Sequence, residues 1–313
     1  MDNGNVLLAN PRGFCAGVER AIQIVEIALE RYGAPVYLRK EIVHNPHVVQ
    51  ALRKKGAVFV ESEAEVPQGG VVIFSAHGVS PEVRHGASSR SLTAIDATCP
   101  LVTKVHVEAI KYVKDGYAIL LIGHAGHDEI VGTMGEAPHA IQLVEDVEDA
   151  LNVQVPDPLK VVCLTQTTLS VDDTKDVVDA LKRRFPSILV RNDICYATQN
   201  RQVAVKALAK SADVILVVGA ANSSNSIRLM EVARAQGVRA HRIADVSEIQ
   251  PEWLNGARSI GVTSGASTPE VKVSEVLDYL KARGLPSARE VKVLEENVTF
   301  ALPQELRGFS RAG

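Results

Sequence analysis

The chain has 313 residues, 46% hydrophobic and 23% charged, the composition of an ordinary globular protein with apolar material for two or three domains. A formal charge of −3, with no Lys/Arg run longer than three residues, excludes the basic stripe of a nucleic-acid binder. No apolar run approaches the roughly 18 residues needed to cross a bilayer, and Met1-Asp2-Asn3-Gly4-Asn5-Val6 lacks the pattern of a secretion signal, so a cytoplasmic protein without a membrane partner is expected.

The string Val6-Leu7-Leu8-Ala9 reads as a strand. After Pro11-Arg12-Gly13, the apolar positions Val18, Ala21, Ile22, Val25, Ala28 and Leu29 follow the 3.6-residue period of a helix. Cys15 is thereby placed at a helix N-terminus, where the dipole favours the thiolate form that binds metal. A strand over 35–38 leads to the loop Val43-His44-Asn45-Pro46-His47, and the very apolar Val71-Val72-Ile73-Phe74 leads to Ser75-Ala76-His77-Gly78. Ser80-Pro81-Glu82 then opens a helix as an N-cap with proline in the first turn.

The same plan recurs twice. Cys99 precedes a helix carrying Val102, Val105, Ala109, Ile110 and Val113; the strand over 117–122 runs into Gly123-His124-Ala125-Gly126-His127-Asp128-Glu129. Val161-Val162-Cys163-Leu164 runs into Thr165-Gln166-Thr167-Thr168-Leu169-Ser170, ahead of a helix over about 172–184. Cys195 precedes a helix over about 199–210; the strand over 214–218 delivers Gly219 to Ser226, and that over 259–263 delivers Ser264 to Glu270. Val298-Thr299-Phe300-Ala301-Leu302-Pro303 is a candidate added edge strand.

Counted from the three cysteines, His44, His127 and Ser224 follow at 29, 28 and 29 residues, and His77, Thr167 and Ser267 at 62, 68 and 72. Continuous Val/Ile/Leu strands alternating with helices indicate parallel sheets covered on both faces. The fold class expected is α/β: three repeated small α/β domains at 1–97, 98–192 and 193–283, with a tail at 284–313. Ligand loops in such sheets lie beyond the carboxyl ends of the strands, so a pseudo-threefold packing would bring all six polar loops around one central site.

One cysteine per unit does not match the close C-x-x-C pairs of structural zinc. In a reducing compartment disulfides are not expected either. A [4Fe-4S] cluster takes four thiolates, so Cys15, Cys99 and Cys195 would leave one iron not ligated by protein. Zinc with three cysteines and a histidine, or three buried cysteines without metal, are the alternatives; Cys163 reads as a small buried hydrophobe. The loop residues His44, His77, His127, Ser223, Ser224, Asn225 and Ser267 make a lining of donors that suits phosphate oxygens. Glu129 is the carboxyl nearest it. In a water-poor pocket its pKa would rise and it could give a proton; it also reads as a helix-start carboxylate, with Asp128 its competitor. Thr167 would position a substrate hydroxyl or relay the proton, or serve as an N-cap.

Several stretches are long enough to carry a resemblance. They are Pro11-Arg12-Gly13-Phe14-Cys15-Ala16-Gly17-Val18, Val43-His44-Asn45-Pro46, Ser75-Ala76-His77-Gly78-Val79, Asp96-Ala97-Thr98-Cys99-Pro100, and His127-Asp128-Glu129 with Gly132-Thr133-Met134-Gly135. Thr165-Gln166-Thr167-Thr168-Leu169-Ser170, Ile194-Cys195-Tyr196-Ala197-Thr198, Asn222-Ser223-Ser224-Asn225-Ser226 and the tail Glu295-Glu296-Asn297-Val298 with Pro303-Gln304-Glu305-Leu306-Arg307 complete the set. Essentially from Val6 to Arg307, the chain resembles the 4-hydroxy-3-methylbut-2-enyl diphosphate reductase family, the last enzymes of the methylerythritol phosphate route to isoprenoids.

The resemblance implies Cys15, Cys99 and Cys195 as ligands of a [4Fe-4S] cluster, Glu129 as proton donor with Thr167 beside it, and His127 in the surrounding hydrogen-bond network. It implies His44, His77, Ser223, Ser224, Asn225 and Ser267 as holders of an allylic diphosphate substrate. Reductive removal of the allylic hydroxyl would yield isopentenyl and dimethylallyl diphosphate, with a ferredoxin or flavodoxin as electron donor. The family often has proline where this chain has Asp128. Two other classes fit the cysteines: a cluster-dependent hydro-lyase, which would turn over without reductant, and an iron-sulfur redox sensor, which would need no donor-lined pocket.

Overall fold

The computed structural model describes residues 5–307. In chain order its first elements are β1 (Asn5–Asn10), α1 (Ala16–Tyr32), β2 (Val36–Arg39), α2 (Pro46–Lys54), β3 (Ala57–Val60), β4 (Val71–Phe74), α3 (Pro81–Ser89) and β5 (Thr93–Asp96). There follow α4 (Pro100–Lys114), β6 (Ala118–Ile122), α5 (Asp128–Glu136), β7 (Ile141–Val144), α6 (Val147–Asn152), β8 (Val161–Thr165), α7 (Val171–Arg184) and β9 (Leu189–Val190). The last are α8 (Tyr196–Ala209), β10 (Val214–Val218), α9 (Ser224–Ala235), β11 (Arg239–Ile243), β12 (Ser259–Ser264), α10 (Glu270–Ala282) and β13 (Arg289–Lys292).

The strands form three sheets, ordered β3-β2-β4-β5, β7-β6-β8-β9 and β11-β10-β12-β1-β13. Neighbours in all three are parallel. The same order is used each time, and the strand next to β4, β8 or β12 is always the one that leads to a cysteine: β5, β9 or β1. The first strand of the chain therefore completes the sheet of residues 214–292, while residues 36–96 supply the sheet of β2 to β5. The added edge strand is Arg289–Lys292, paired with β1, and not 298–303. Its Arg289, Glu290 and Lys292 give that edge the charged character that discourages further pairing. In the 298–303 segment Pro303 has no N–H to offer a ladder, and the Ala301 carbonyl accepts from Arg20 Nε at 2.7 Å.

Two compact units result. One holds residues 5–16, His44–Val48 and Tyr196–Thr299, and so the five-stranded sheet. The other holds Gly17–Val43, Val49–Cys195 and residues 300–307, with both four-stranded sheets. In the first, alternate strand residues feed two cores. Val6, Leu8, Leu216 and Val262 pack with Val273, Val276 and Leu280 of α10; Leu7, Ala9, Ile215 and Val217 pack with Val205 and Leu208 of α8 and Leu229 and Val232 of α9. The second unit repeats this around β6 and β8. Leu120, Ile122 and Cys163 face Val177 and Leu181 of α7, and Ile119, Leu121 and Leu164 face Val105 and Ala109 of α4 and Ile130 of α5. Period-2 alternation with both faces buried is why these strands read as unbroken apolar runs. Among the described residues no helix is long and apolar enough to cross a membrane.

Candidate active site

Each of the three predicted ligand cysteines is half-buried at the start of a helix. Cys15 immediately precedes α1, Cys99 is the N-cap of α4, and Cys195 immediately precedes α8. Helix α8 begins three residues before the predicted 199, because the polar Thr198 and Arg201 are fully buried in its first turns and hide them from an apolar period. The fourth cysteine differs. Cys163 is wholly buried in β8, and desolvation, with a contribution from the Asp193 charge, pushes its thiol up to about 12. It is thus kept as the neutral thiol, whereas the other three stand half-buried at helix starts.

One backbone bond recurs at all three. The Cys99 N–H donates to the Ala76 carbonyl at 3.0 Å, next to His77; the Cys195 N–H donates to Thr167 at 3.0 Å; the Cys15 N–H donates to Ala266 at 3.2 Å, next to Ser267. Every cysteine is therefore tied to the polar loop of the sheet that its own preceding strand completes.

In the unit with two sheets, Glu129 lies in the first turn of α5 but turns its carboxyl inward and is 2% exposed. Thr167 N–H donates to Oε1 at 2.7 Å and Thr167 Oγ1 to Oε2 at 2.9 Å. Burial, aided by the Asp193 charge, outweighs these two bonds and lifts the carboxyl from 4.5 to about 7. Of the readings open to Thr167, the N-cap is excluded, since Ser170 caps α7 by accepting from Asp173 N–H. Asp128, the competitor of Glu129, is ion-paired with Lys40. His127 caps α5, its Nδ1 accepting from Glu129 N–H at 3.2 Å; a neutral ring with Nδ1 as acceptor carries its proton on Nε2. The His77 and His127 rings meet edge to face, 6.0 Å between centroids.

In the unit with the five-stranded sheet, Ser223 caps α9, accepting from Ser226 N–H, and Ser224 opens the helix. Ser226 Oγ wedges between two strand ends: a Cβ at Gly219 or at Gly265 would lie 2.1 Å from it. Glycine at both positions is thus what lets α9 approach β10 and β12. Asn225 is 4% exposed, yet neither its Oδ1 nor its Nδ2 has a hydrogen-bond partner among the described residues. A buried amide with both ends unsatisfied is costly unless a ligand completes it, and it stands in the first turn of a helix, where anions bind. Ser267 Oγ donates to the His44 carbonyl at 3.0 Å, which fixes the His44 backbone beside the Asn45 side chain that caps α2.

The structure brings Glu129, Thr167 and Cys195 into one bonded chain, pairs His77 with His127, and groups Ser223, Ser224 and Asn225 at one helix start. The hydrophobic pattern does not point to Arg20, Arg201, Tyr196 or Glu296. Tyr196 Oη accepts from Ala16 N–H at 3.2 Å, beside Cys15, and desolvation pushes its hydroxyl up to about 12. The readable sign for the arginines is position: Arg20 lies four residues from Ala16 and Ile24, and Arg201 four from Ala197 and Val205, on the buried stripes of α1 and α8.

The LytB protein family matches residues 6–281. A 4-hydroxy-3-methylbut-2-enyl diphosphate reductase from Streptomyces avermitilis is 56% identical over 310 residues, 98% of this chain and 92% of its own length. One of the same name from Azoarcus sp. is 57% identical over 309 residues, 98% and 99% of the two chains. Among solved structures, the E-1-hydroxy-2-methyl-but-2-enyl-4-diphosphate reductase from Plasmodium falciparum superposes with a TM-score of 0.93 at 39% identity, over 97% of each chain. Another, of (E)-4-hydroxy-3-methyl-but-2-enyl diphosphate reductase, the terminal enzyme of the non-mevalonate pathway, gives 0.64 at 33% identity, covering 89% of this chain and 99% of that one.

Proposed function

We propose, from the premise that this chain belongs to the LytB protein family, that it reductively removes the hydroxyl of 4-hydroxy-3-methylbut-2-enyl diphosphate to give isopentenyl and dimethylallyl diphosphate. The observation that carries the chemistry is the carboxyl of Glu129, buried, held at both oxygens by Thr167 and lifted to about 7. A group so placed is half protonated near neutrality and gives a proton without solvent.

Three half-buried thiols at helix starts, contrasted with the protonated Cys163, fit the donor set of a [4Fe-4S] cluster with one iron not ligated by protein. Cys15, Cys99 and Cys195 would hold it. When bound, that cluster supplies electrons and a Lewis-acidic open iron. The remaining work falls to side chains. Ser223, Ser224 and Asn225 at the start of α9, with Ser267, His44 and His77, would hold the diphosphate, and the unsatisfied amide of Asn225 supports that assignment. His127, with its proton on Nε2, would donate within the hydrogen-bond network around the substrate. Thr167 keeps Glu129 aimed through proton loss, because its hydroxyl donates to the carboxylate, the form it favours, and can still accept from the carboxylic acid. Loss of the allylic hydroxyl as water consumes one proton and re-protonation of the allyl group another, against two electrons delivered by a cytoplasmic ferredoxin or flavodoxin.

The deciding experiment is an anaerobic assay of reconstituted protein with the diphosphate substrate and an artificial reductant. Both isoprenoid diphosphates should form only with reductant present. Turnover without it would indicate a hydro-lyase, and protein that binds no iron would end the reading.

A further inference from the structure

Arg201 is the largest fully buried side chain in the described chain, 0% exposed, and its hydrogen bonds go to an unusual set of partners. Nε and Nη2 donate to the Gly13 carbonyl at 3.2 and 2.7 Å, and Nη2 also reaches Phe14 O at 3.4 Å and Arg12 O at 3.5 Å. Three successive carbonyls, the last one residue before Cys15, thus converge on one guanidinium. Its charge is matched by Glu296 of the C-terminal tail, with Nη1 to Oε1 at 3.0 Å and Nη2 to Oε2 at 3.3 Å. Asn200 Nδ2 holds the same carboxylate at 2.9 Å. Within α8 the Ala197 carbonyl also accepts from Nη1 at 3.0 Å.

The other unit has a counterpart. Arg20, 9% exposed, donates from Nη1 to the Ala97 and Thr98 carbonyls at 3.2 and 3.0 Å, the two residues before Cys99, and from Nε to Ala301 in the tail. Before Cys195 the device differs: Asp193 and Thr165 exchange backbone-to-side-chain bonds, and Lys104 Nζ meets Asp193 at 2.7 Å.

We propose that Arg201 with Glu296, and Arg20 with Ala301, are positioning elements by which the C-terminal tail presets the Cys15 and Cys99 loops for their metal. The proposal rests on the reading of these cysteines as ligands. Physically, a loop ordered before metal arrives does not charge its ordering entropy to the binding step. Only a planar guanidinium with five donors can gather three carbonyls and a carboxylate at once, and it tolerates full burial only while paired.

The test is the rate at which N-ethylmaleimide alkylates each of the four cysteines in the full-length chain without cluster, resolved by peptide mass, for wild type, Glu296→Ala, Glu296→Gln and Arg20→Lys. Cys163, inside β8, reports global opening. Glu296→Ala should raise the Cys15 rate about tenfold, the scale of one lost charge-assisted bond, with Cys163 and Cys195 unchanged. Glu296→Gln, which keeps an acceptor, should restore most of the difference, and Arg20→Lys should raise Cys99 alone. After anaerobic reconstitution, Glu296→Ala should also lose iron to a chelator faster than wild type. An unchanged Cys15 rate in Glu296→Ala, or an equal rise at all four cysteines, overturns the proposal. Iron and sulfide content of the wild type tests the cluster assignment separately.

Discussion

Replacing Glu129 by glutamine separates its two physical roles. Gln keeps the shape: its carbonyl accepts from Thr167 N–H and its amide donates to the Thr167 hydroxyl. What it removes is the titration. Burial lifts the carboxyl from 4.5 to about 7, so the folded protein holds this proton more tightly than the unfolded chain does. Its stabilising contribution is therefore complete below pH 4.5 and is lost as pH rises through 7, the loss totalling about 3 kcal/mol. Glu129→Gln should match the wild type near pH 4.5 and exceed it by up to about 3 kcal/mol at pH 8, an advantage of about 5 °C in Tm for a chain of this length. Turnover should move the opposite way, falling at least about a hundredfold, since a positioned proton donor contributes factors of that order. Anaerobic thermal unfolding at pH 5 and 8, beside steady-state turnover, measures both. Parallel pH profiles for the two proteins, or a variant within about tenfold of wild-type turnover, would refute the reasoning.

Thr167→Val deletes one of the two bonds that pull Glu129 down, so the alkaline limb of the kcat profile should move to higher pH while kcat falls, as a pH–rate series will show. Gly265→Ala would set a Cβ 2.1 Å from Ser226 Oγ and 3.5 Å from Asn225 Nδ2; stability should drop by about 1–3 kcal/mol, with KM for the diphosphate rising more than kcat falls. Cys→Ser at 15, 99 or 195 should strip iron from anaerobically purified protein, whereas Cys163→Ala should keep it and lose about 1 kcal/mol, by metal analysis and melting. Asp128→Pro should be tolerated within about 1 kcal/mol and retain turnover, because Asp128 is the first residue of α5, where proline is favoured. His127 before it already has φ −66° and ψ 134°, which suit a residue preceding proline, and only the partly exposed Lys40 pair is lost.

Much of this was legible in the residues. Continuous Val/Ile/Leu runs reported strands buried on both faces, and glycine-, serine- and histidine-rich segments at their ends reported the loops. The membership of β1 was not legible, since nothing local to Asn5–Asn10 records that it pairs with β12, Val6 opposite Ile260 and Leu8 opposite Val262, some 250 residues on. The 298–303 segment shows the converse: β-branched and aromatic residues suggested an edge strand, but the edge of β1 was taken by Arg289–Lys292, whose charges disguised it. Arg20 and Arg201 escaped a search for donors in loops because they act from helices, on backbone carbonyls that sequence does not mark.

The recurrence of one strand order in three sheets gives the recurring cysteine bond its meaning. β5, β9 and β1 each lie beside β4, β8 or β12 and lead to a cysteine, whose N–H returns to the loop after that adjacent strand. Each thiol is therefore attached by its chain to the helix that follows and by its hydrogen bond to the sheet just completed. Register in such a sheet is fixed by apolar contacts on both faces, so a slip of β1 against β12 would carry Cys15 away from Ala266. The same slip would pull Gly13 from the Ser264 hydroxyl that holds its N–H at 2.9 Å. On the proposed reading of these cysteines as ligands, a correctly paired sheet becomes the condition for a correctly placed sulfur, which would tie metal binding to completed folding rather than to any loop alone.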